Sequence, residues 1–473
     1  MIAGDRERER EREGERAEGK LEIRVVQRFG APRGAMILLA LASCSAPRTT
    51  LEWRAVPECG ASLAPGARVE EPHAVALPGG GIAVAWGAVR DDGTADILFA
   101  RASEHGIGSP VRVNPVEGSA VAGRQVGPRL AVPAGDRGRG RLFISWVDRG
   151  RDPSGDILLA SSEDGGLSFG PPVRVNADTG LAGQEYHDIA ILPGGDVAIV
   201  WLDERDAPDS NPNQKQLYAA VSRDGGRSFG ANRKLTDSPE GVCPCCRPGL
   251  SASARGSFHV AYRDRVGGDL VIRTRRLDAG SEVFSQPVTV SRVPWRTDGC
   301  PVDGPSVLAG SGDEVHVAWM DASEGAEALW YAVSGDGGQS FRPARPLVRP
   351  AAVAPAAGAA GHETSCCHDS GEAQPGRAVL ARRGAEGAPV VAWEDSSGSV
   401  WVAGSGDGGA MAIRVAGSDR ASARSATLAA DDRGRIHVFF VEHRVEDLAP
   451  EGPRGRLGHV LLMDLGDRLR LRE

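Results

Sequence analysis

From about residue 69 onward the chain is built of short apolar runs separated by turns rich in Gly, Asp and Pro, with no helical period in any stretch. The runs come in sets. Seven of them end in an aromatic residue or close on one: Ile82 to Trp86, Leu142 to Trp146, Val197 to Trp201, Phe258 to Tyr262, Val315 to Trp319, Val390 to Trp393 and Ile436 to Phe440. Each follows a turn and an earlier apolar run, such as Arg129 to Val132 or Ile189 to Leu192. Each is followed by a third run, such as Gln216 to Val221, and then by a fourth, such as Arg233 to Thr236. The pattern predicts an all-β chain of repeated four-stranded units, and hence a β-propeller with one blade per unit.

A turn recurs in phase with these units. SEDGGLSF (Ser162 to Phe169), SRDGGRSF (Ser222 to Phe229) and SGDGGQSF (Ser334 to Phe341) share the frame Ser-x-Asp-x-Gly-x-x-Phe, and SGDGGAM (Ser405 to Met411) is a worn copy. Degenerate copies sit at Ser103 to Gly106 and Arg276 to Gly280. The Asp accepts backbone N–H groups inside the turn, the glycines supply positive φ, and the Phe anchors it to an apolar layer. These turns follow the third strand of a unit, so they mark one face of the body.

The first residues are of another kind. Asp5 to Arg16 is a run of Arg and Glu with no apolar face, a doubtful charged extension. Ala35 to Ser43 is apolar but far too short to span a bilayer as a helix, and it suits the core of a signal peptide. Residues 1–43 are therefore expected to be leader, 44–68 a Pro- and Ala-rich tether with one strand near Leu51 to Val56, and 69–473 the repeated β body. A strand near Trp53 would close the ring against the last unit.

Composition changes this picture little. The net charge of −8 argues against a nucleic-acid partner, and the 55 basic residues include only three lysines, so abundant arginine is weak evidence for anion sites. No phosphate loop, dinucleotide fingerprint, HExxH or serine elbow is present.

The Asp turns and their position closely resemble the Asp boxes, or BNR repeats, of the sialidase superfamily, over nearly all of residues 69–473. That resemblance implies a propeller with six blades, whereas the count of second strands predicts seven, with six as the alternative. It also implies three arginines clamping a sugar carboxylate, a Tyr–Glu nucleophile and an Asp acid/base. The family's Phe/Tyr-Arg-Ile-Pro motif aligns with Val69-Glu70-Glu71-Pro72-His73, which has no arginine. Glu185, Tyr186 and Asp188 are the only catalytic candidates the resemblance leaves. Leu41-Ala42-Ser43-Cys44 resembles a lipoprotein cleavage box, which implies lipidation at Cys44, a membrane partner, and a bacterial envelope location on the periplasmic or extracellular face. CPCC, Tyr262-Arg-Asp264 and GCPVDGP together resemble a subgroup of bacterial sialidase-like lipoproteins.

Repeat phase adds a candidate site. Connections from a fourth strand to the next first strand gather on the face opposite the Asp turns. They carry Cys243, Cys245, Cys246, Cys300, Cys366, Cys367 and His368, together with His73, His187 and Arg247. The cysteines read either as disulfides of an exported protein, Cys243 or Cys245 to Cys300 among them, or as a copper, zinc or thiol redox centre. Asp203, Arg205, Arg263 and Asp264 follow second strands and belong on the same face. A carboxylate two residues after each aromatic (Asp148, Asp203, Asp264, Asp321, Asp395) reads first as a structural hydrogen-bond acceptor. The expected function is binding of a ligand, glycan or protein, on this face by a monomer. The alternatives are an exo-sialidase or related glycoside hydrolase, and a metal or redox protein.

Overall fold

The computed structural model describes residues 67–444 apart from 135–139, 212–213, 237, 298–303, 326, 349–376, 384–386, 396, 405–411 and 419–420, together with strands at 36–39, 50–55 and 456–462. Among the described residues every regular element is a β-strand, and the sheets are antiparallel. Four sheets have four strands each in simple up-and-down order. The sheet Gln184–Ile191, Val197–Asp203, Gln216–Ser222 and Arg233–Lys234 is representative. Two further sets, led by Arg68–Ala76 and Arg129–Ala131, are joined into one ten-stranded sheet through the bridging strand Ala120–Val121.

The last sheet mixes the two ends of the chain. Thr50–Ala55 lies beside Arg456–Leu462, with Trp53 opposite Val460, and Met36–Leu39 adds an outer edge. All seven aromatic-terminated runs lie in second strands. Their apolar residues are buried on both faces, as in Ile82–Val89 and Val197–Asp203, because each sheet is packed between two others.

The first strands form a ring. Arg68–Ala76 packs on Arg129–Ala131, which packs on Gln184–Ile191, then Gly249–Ala252, Ser306–Ala309, Val379–Arg382 and Ala421–Ala430, and the last returns to Arg68–Ala76. Apolar clusters fill the spaces between successive sheets. One joins Val200 and Leu217 of one sheet to Phe258 and Tyr262 of the next.

The recurrent turns connect third to fourth strands and share one hydrogen-bond network. Asp224 Oδ1 accepts from the Ser222 hydroxyl at 2.7 Å and from the Ser228 N–H at 3.0 Å, and Asp164 and Asp336 repeat the arrangement. These bonds hold all three carboxyls below the usual range, led in each by the hydroxyl at the turn's far side. The turns also stitch neighbouring strand sets. Arg101 Nε donates to the Gly165 carbonyl at 2.9 Å and Arg141 Nη2 to that of Gly225 at 2.8 Å, each reaching from the preceding set of strands. Gly166, at φ +89°, lies so close to Phe99 that a Cβ there would sit 2.0 Å from the ring. The worn copy at Ser405 to Met411 lies outside the described residues.

The periodic carboxylates have the structural role first assigned to them. The indole N–H groups of Trp146, Trp201 and Trp319 donate to Asp148, Asp203 and Asp321 at 3.1, 2.6 and 2.7 Å. In the sixth unit Asp395 accepts instead from Trp401, on the adjoining strand, at 2.7 Å.

Candidate functional site

The ring of first strands encloses a cavity of 730 Å³. Local backbone irregularity shapes its mouth. Among the described residues, four non-glycine residues have left-handed φ: Glu71 (44°), Gln125 (60°), Tyr186 (52°) and Ser425 (54°). Three of them sit where the register between first and second strands shifts, between Glu70 and His73, Glu185 and Asp188, and Arg424 and Thr427. A bulge at the head of an inner strand re-aims the side chains beside it. Left-handed backbone at a non-glycine residue costs on the order of 1 kcal/mol or more, so such positions cluster at functional sites.

Three arginines stand at or just before the heads of inner strands and line this cavity: Arg129, Arg247 and Arg377, all buried. Arg247 donates from Nη1 and Nη2 to Glu71 Oε2, each at 3.3 Å, and from Nη1 to the Gln125 carbonyl at 3.1 Å. Arg129 Nε lies 3.6 Å from Asp188 Oδ1, and Asp188 Oδ2 accepts the Leu250 N–H at 2.9 Å. The Nε atoms of Arg129 and Arg247 are buried with no hydrogen-bond partner. Burial, with the charge of Arg247 next, pulls Arg129 well below its ordinary value. Arg129, Arg247 and Arg377 thus share the cavity with three buried carboxyl groups, Glu71, Asp188 and Glu394.

The imidazoles adapt to the same field. His73 Nδ1 accepts the Leu130 N–H at 2.9 Å, which leaves its proton on Nε2. Burial and then Arg129, Arg247 and Arg377 hold His73 well below its ordinary value. Burial, followed by Arg129, pushes the His187 imidazole down to about 3. Both are neutral at pH 7.

Two glutamates at the mouth differ in protonation. Burial works against ionisation of Glu71, but Arg247, a backbone N–H bond at Gln125, Arg129 and the Ser425 hydroxyl outweigh it and hold the carboxyl below its usual value. Burial raises Glu394 to about 7, with the nearby Glu71 charge adding to the rise against an N–H bond from Ala426. One strand segment binds both: Ser425 Oγ donates to Glu71 Oε1 at 2.8 Å and Ala426 N to Glu394 Oε1 at 2.7 Å.

Of the residues singled out from the sequence, His73, Asp188 and Arg247 line the cavity, and His187 is buried beside it. Glu185 and Tyr186 turn away from it to Lys215. The ammonium lies 2.8 Å from Glu185 Oε2 and 4.8 Å from the centre of the Tyr186 ring. Asp203, Arg205, Arg263 and Asp264 are held elsewhere. Arg205 pairs with Asp203 at 2.6 Å and stacks on Tyr218, Arg263 donates to the Met320 carbonyl at 2.8 Å, and Arg273 pairs with Asp264 at 2.7 Å.

The cysteine segment divides. Cys243, Cys245 and Cys246 are buried against Leu270 and Trp295, outside the cavity lining, and only the next residue, Arg247, enters it. Cys243 bonds Cys246, which removes it as a partner for Cys300; Cys245, the other residue expected to reach Cys300, is disulfide-bonded as well, and Cys300 lies outside the described residues. The three Sγ atoms lie within 4.8 Å of one another, but sulfurs in disulfides are not thiolate ligands. Cys44, Cys300, Cys366, Cys367 and His368 lie outside the described residues.

Sequence reading passed over Glu71, Arg129, Arg377, Glu394 and Ser425. A signal was present for two of the arginines, because Arg247-Pro-Gly-Leu and Arg377-Ala-Val-Leu each place one two residues ahead of an inner strand.

No protein-family model and no curated protein matches the sequence. Solved structures that resemble the fold include sialidases, arabinanases and a polysaccharide lyase. The NanB sialidase from Streptococcus pneumoniae superposes at a TM-score of 0.44 with 9% identity, over 81% of this chain and 83% of that one. The Penicillium chrysogenum alpha-L-arabinanase complexed with arabinobiose gives 0.43 and 16%, over 84% and 94%. A polysaccharide lyase, an ulvan lyase bound to a sulfated disaccharide unit, gives 0.47 and 12%, over 84% and 97%. At these identities and scores the likeness says nothing about what this cavity holds.

Proposed function

We propose that the chain is a sialidase-like β-propeller of seven blades whose axial cavity binds an acidic carbohydrate. The observation that carries this reading is the convergence of Arg129, Arg247 and Arg377, buried together in one 730 Å³ cavity. Planar guanidinium groups match carboxylate and sulfate oxygens in bidentate geometry, and a cavity of this size suits one or two sugar units. The ring of seven first strands and the Asp-turn network support the blade count and the reading of those turns as Asp boxes. The positions of Arg129 and Arg247 mean that the missing arginine of the first-strand motif does not leave the cavity without cations. Glu71 stands at that position and is tied to one of them.

Lipidation at Cys44 belongs to the same proposal. Among the described strands, cleavage before Cys44 would remove the outermost edge strand, Met36–Leu39, and leave Thr50–Ala55 to close the last sheet. The protein would then work tethered to a bacterial envelope membrane, on its periplasmic or extracellular face.

The test is calorimetric titration with sialyllactose, oligogalacturonate and a neutral oligosaccharide of equal length. Binding of an acidic sugar, with at least a tenfold loss in Arg129→Gln, is the expected result. Equal binding of neutral and acidic sugars, or binding of neither, overturns the reading.

A further inference from the structure

The cavity holds more than binding requires. For anion recognition alone, a glutamate beside the arginines is a liability, since it repels the ligand. Here two are kept, Glu71 and Glu394, and both are buried. They come from blades far apart in sequence and are gathered by consecutive residues of a third element, the hydroxyl of Ser425 and the N–H of Ala426. Glu71 and Ser425 both have left-handed backbone, so the juxtaposition is maintained against local conformational preference. Beside them the Nε of Arg247 is buried without a hydrogen-bond partner, and that of Arg129 lies 3.6 Å from Asp188 Oδ1.

We propose that Glu394 and Glu71 are the acid/base and nucleophile of a retaining glycosidase acting on an acidic sugar bound by the arginines, which rests on the reading of the cavity given above. The assignment departs from the tyrosine nucleophile that the sialidase resemblance implies, because Tyr186 faces Lys215. In the first step the Glu394 carboxylic acid gives its proton to the glycosidic oxygen. The C–O bond breaks as a Glu71 carboxylate oxygen bonds to the anomeric carbon, and the aglycone leaves as an alcohol. In the second step the Glu394 carboxylate takes a proton from water, whose hydroxide adds to the anomeric carbon and displaces Glu71. Sugar is released and both glutamates return to their starting states.

The protonation states fit these roles. Groups facing Glu394 are Glu71, which favours its protonated form, and Arg124 and Arg424, which oppose it, while Ala426 donates to it. The balance leaves an acid near pH 7 beside an ionised partner, and divergent values within one carboxyl pair mark acid and nucleophile.

The experiment uses the full-length protein with 4-nitrophenyl uronides and sialosides, alongside the calorimetric titration. Hydrolysis should fall above pH 7. Glu394→Gln should retain sugar binding and lose turnover by roughly a hundredfold or more, as expected for a general acid. Glu394→Ala with azide should release a glycosyl azide of retained configuration. As a check that does not depend on a variant folding, the wild-type protein with a fluorinated acidic-sugar inactivator should gain the mass of one sugar on Glu71. Binding of an acidic sugar without cleavage of any of these substrates, or a label on another residue, overturns the inference and leaves the binding reading intact. Absence of binding removes both.

Discussion

Both terminal nitrogens of Arg247 donate to a single carboxylate oxygen of Glu71, each at 3.3 Å, across 176 residues of sequence. Both side chains are buried, so the pair ties the strand Arg68–Ala76 to the segment leading into Gly249–Ala252, as well as forming part of the cavity wall. A buried pair is worth little relative to an apolar pair, but removal of one member strands the other charge.

Glu71→Ala is therefore expected to destabilise the protein by about 3–5 kcal/mol, with Glu71→Ala/Arg247→Leu milder than the single change. Urea denaturation of the three proteins measures this. A double variant at least as unstable as Glu71→Ala would show that the cost does not arise from a stranded Arg247.

Glu394 makes stability depend on pH with a defined sign. Its carboxyl is raised from 4.5 to about 7 on folding, so the folded state holds the proton more tightly. The contribution is fully present below pH 4.5 and is lost as pH rises toward 7, by about 3 kcal/mol over that window. Glu394→Gln should flatten the decline, as read from melting temperatures between pH 4.5 and 8.

The Cys243–Cys246 bridge closes a short loop, with only two residues between its ends. Loop-closure entropy then gives it about 2 kcal/mol. Cys243→Ser/Cys246→Ser is expected to lower stability by that amount and to weaken acidic-sugar binding more than neutral-sugar binding, because Arg247 follows the loop directly. Thiol counting before and after denaturation, with metal analysis of the same sample, checks that these cysteines are oxidised.

Asp203 accepts the Trp201 indole N–H at 2.6 Å and pairs with Arg205, remote from the cavity. Asp203→Ala leaves a buried donor and a cation without their acceptor, at a cost of about 2–4 kcal/mol. Sugar affinity should not change. A tenfold loss of affinity at unchanged folding would return Asp203 to the binding site.

Much of this architecture was legible in the chain. Alternating short strands, aromatic ends and the Ser-x-Asp-x-Gly-x-x-Phe turns depend on neighbours within a few residues, so local sequence determined the all-β class, the units and the placement of the turns. The Asp two positions after Trp201 has the same local character, and its structural role was readable in advance. His73 and Arg247 were found from repeat phase, because phase carries a residue to one end of every unit.

The composition of the cavity was decided only in three dimensions. Glu71 and Glu394 are unremarkable acidic residues in sequence. They become a differentiated pair because ring closure brings the last inner strand against the first and supplies Ser425 and Ala426 as donors. Bulges at Glu71, Tyr186 and Ser425 then settle which side chains face the axis, and no period predicts a one-residue register shift. Tyr186 is turned to Lys215, while Arg129 and Arg377, passed over as strand ends, are buried at the centre. Local pattern specifies where strands lie; the field inside the ring is a sum over residues from all of the first strands, and it exists only once the ring has closed.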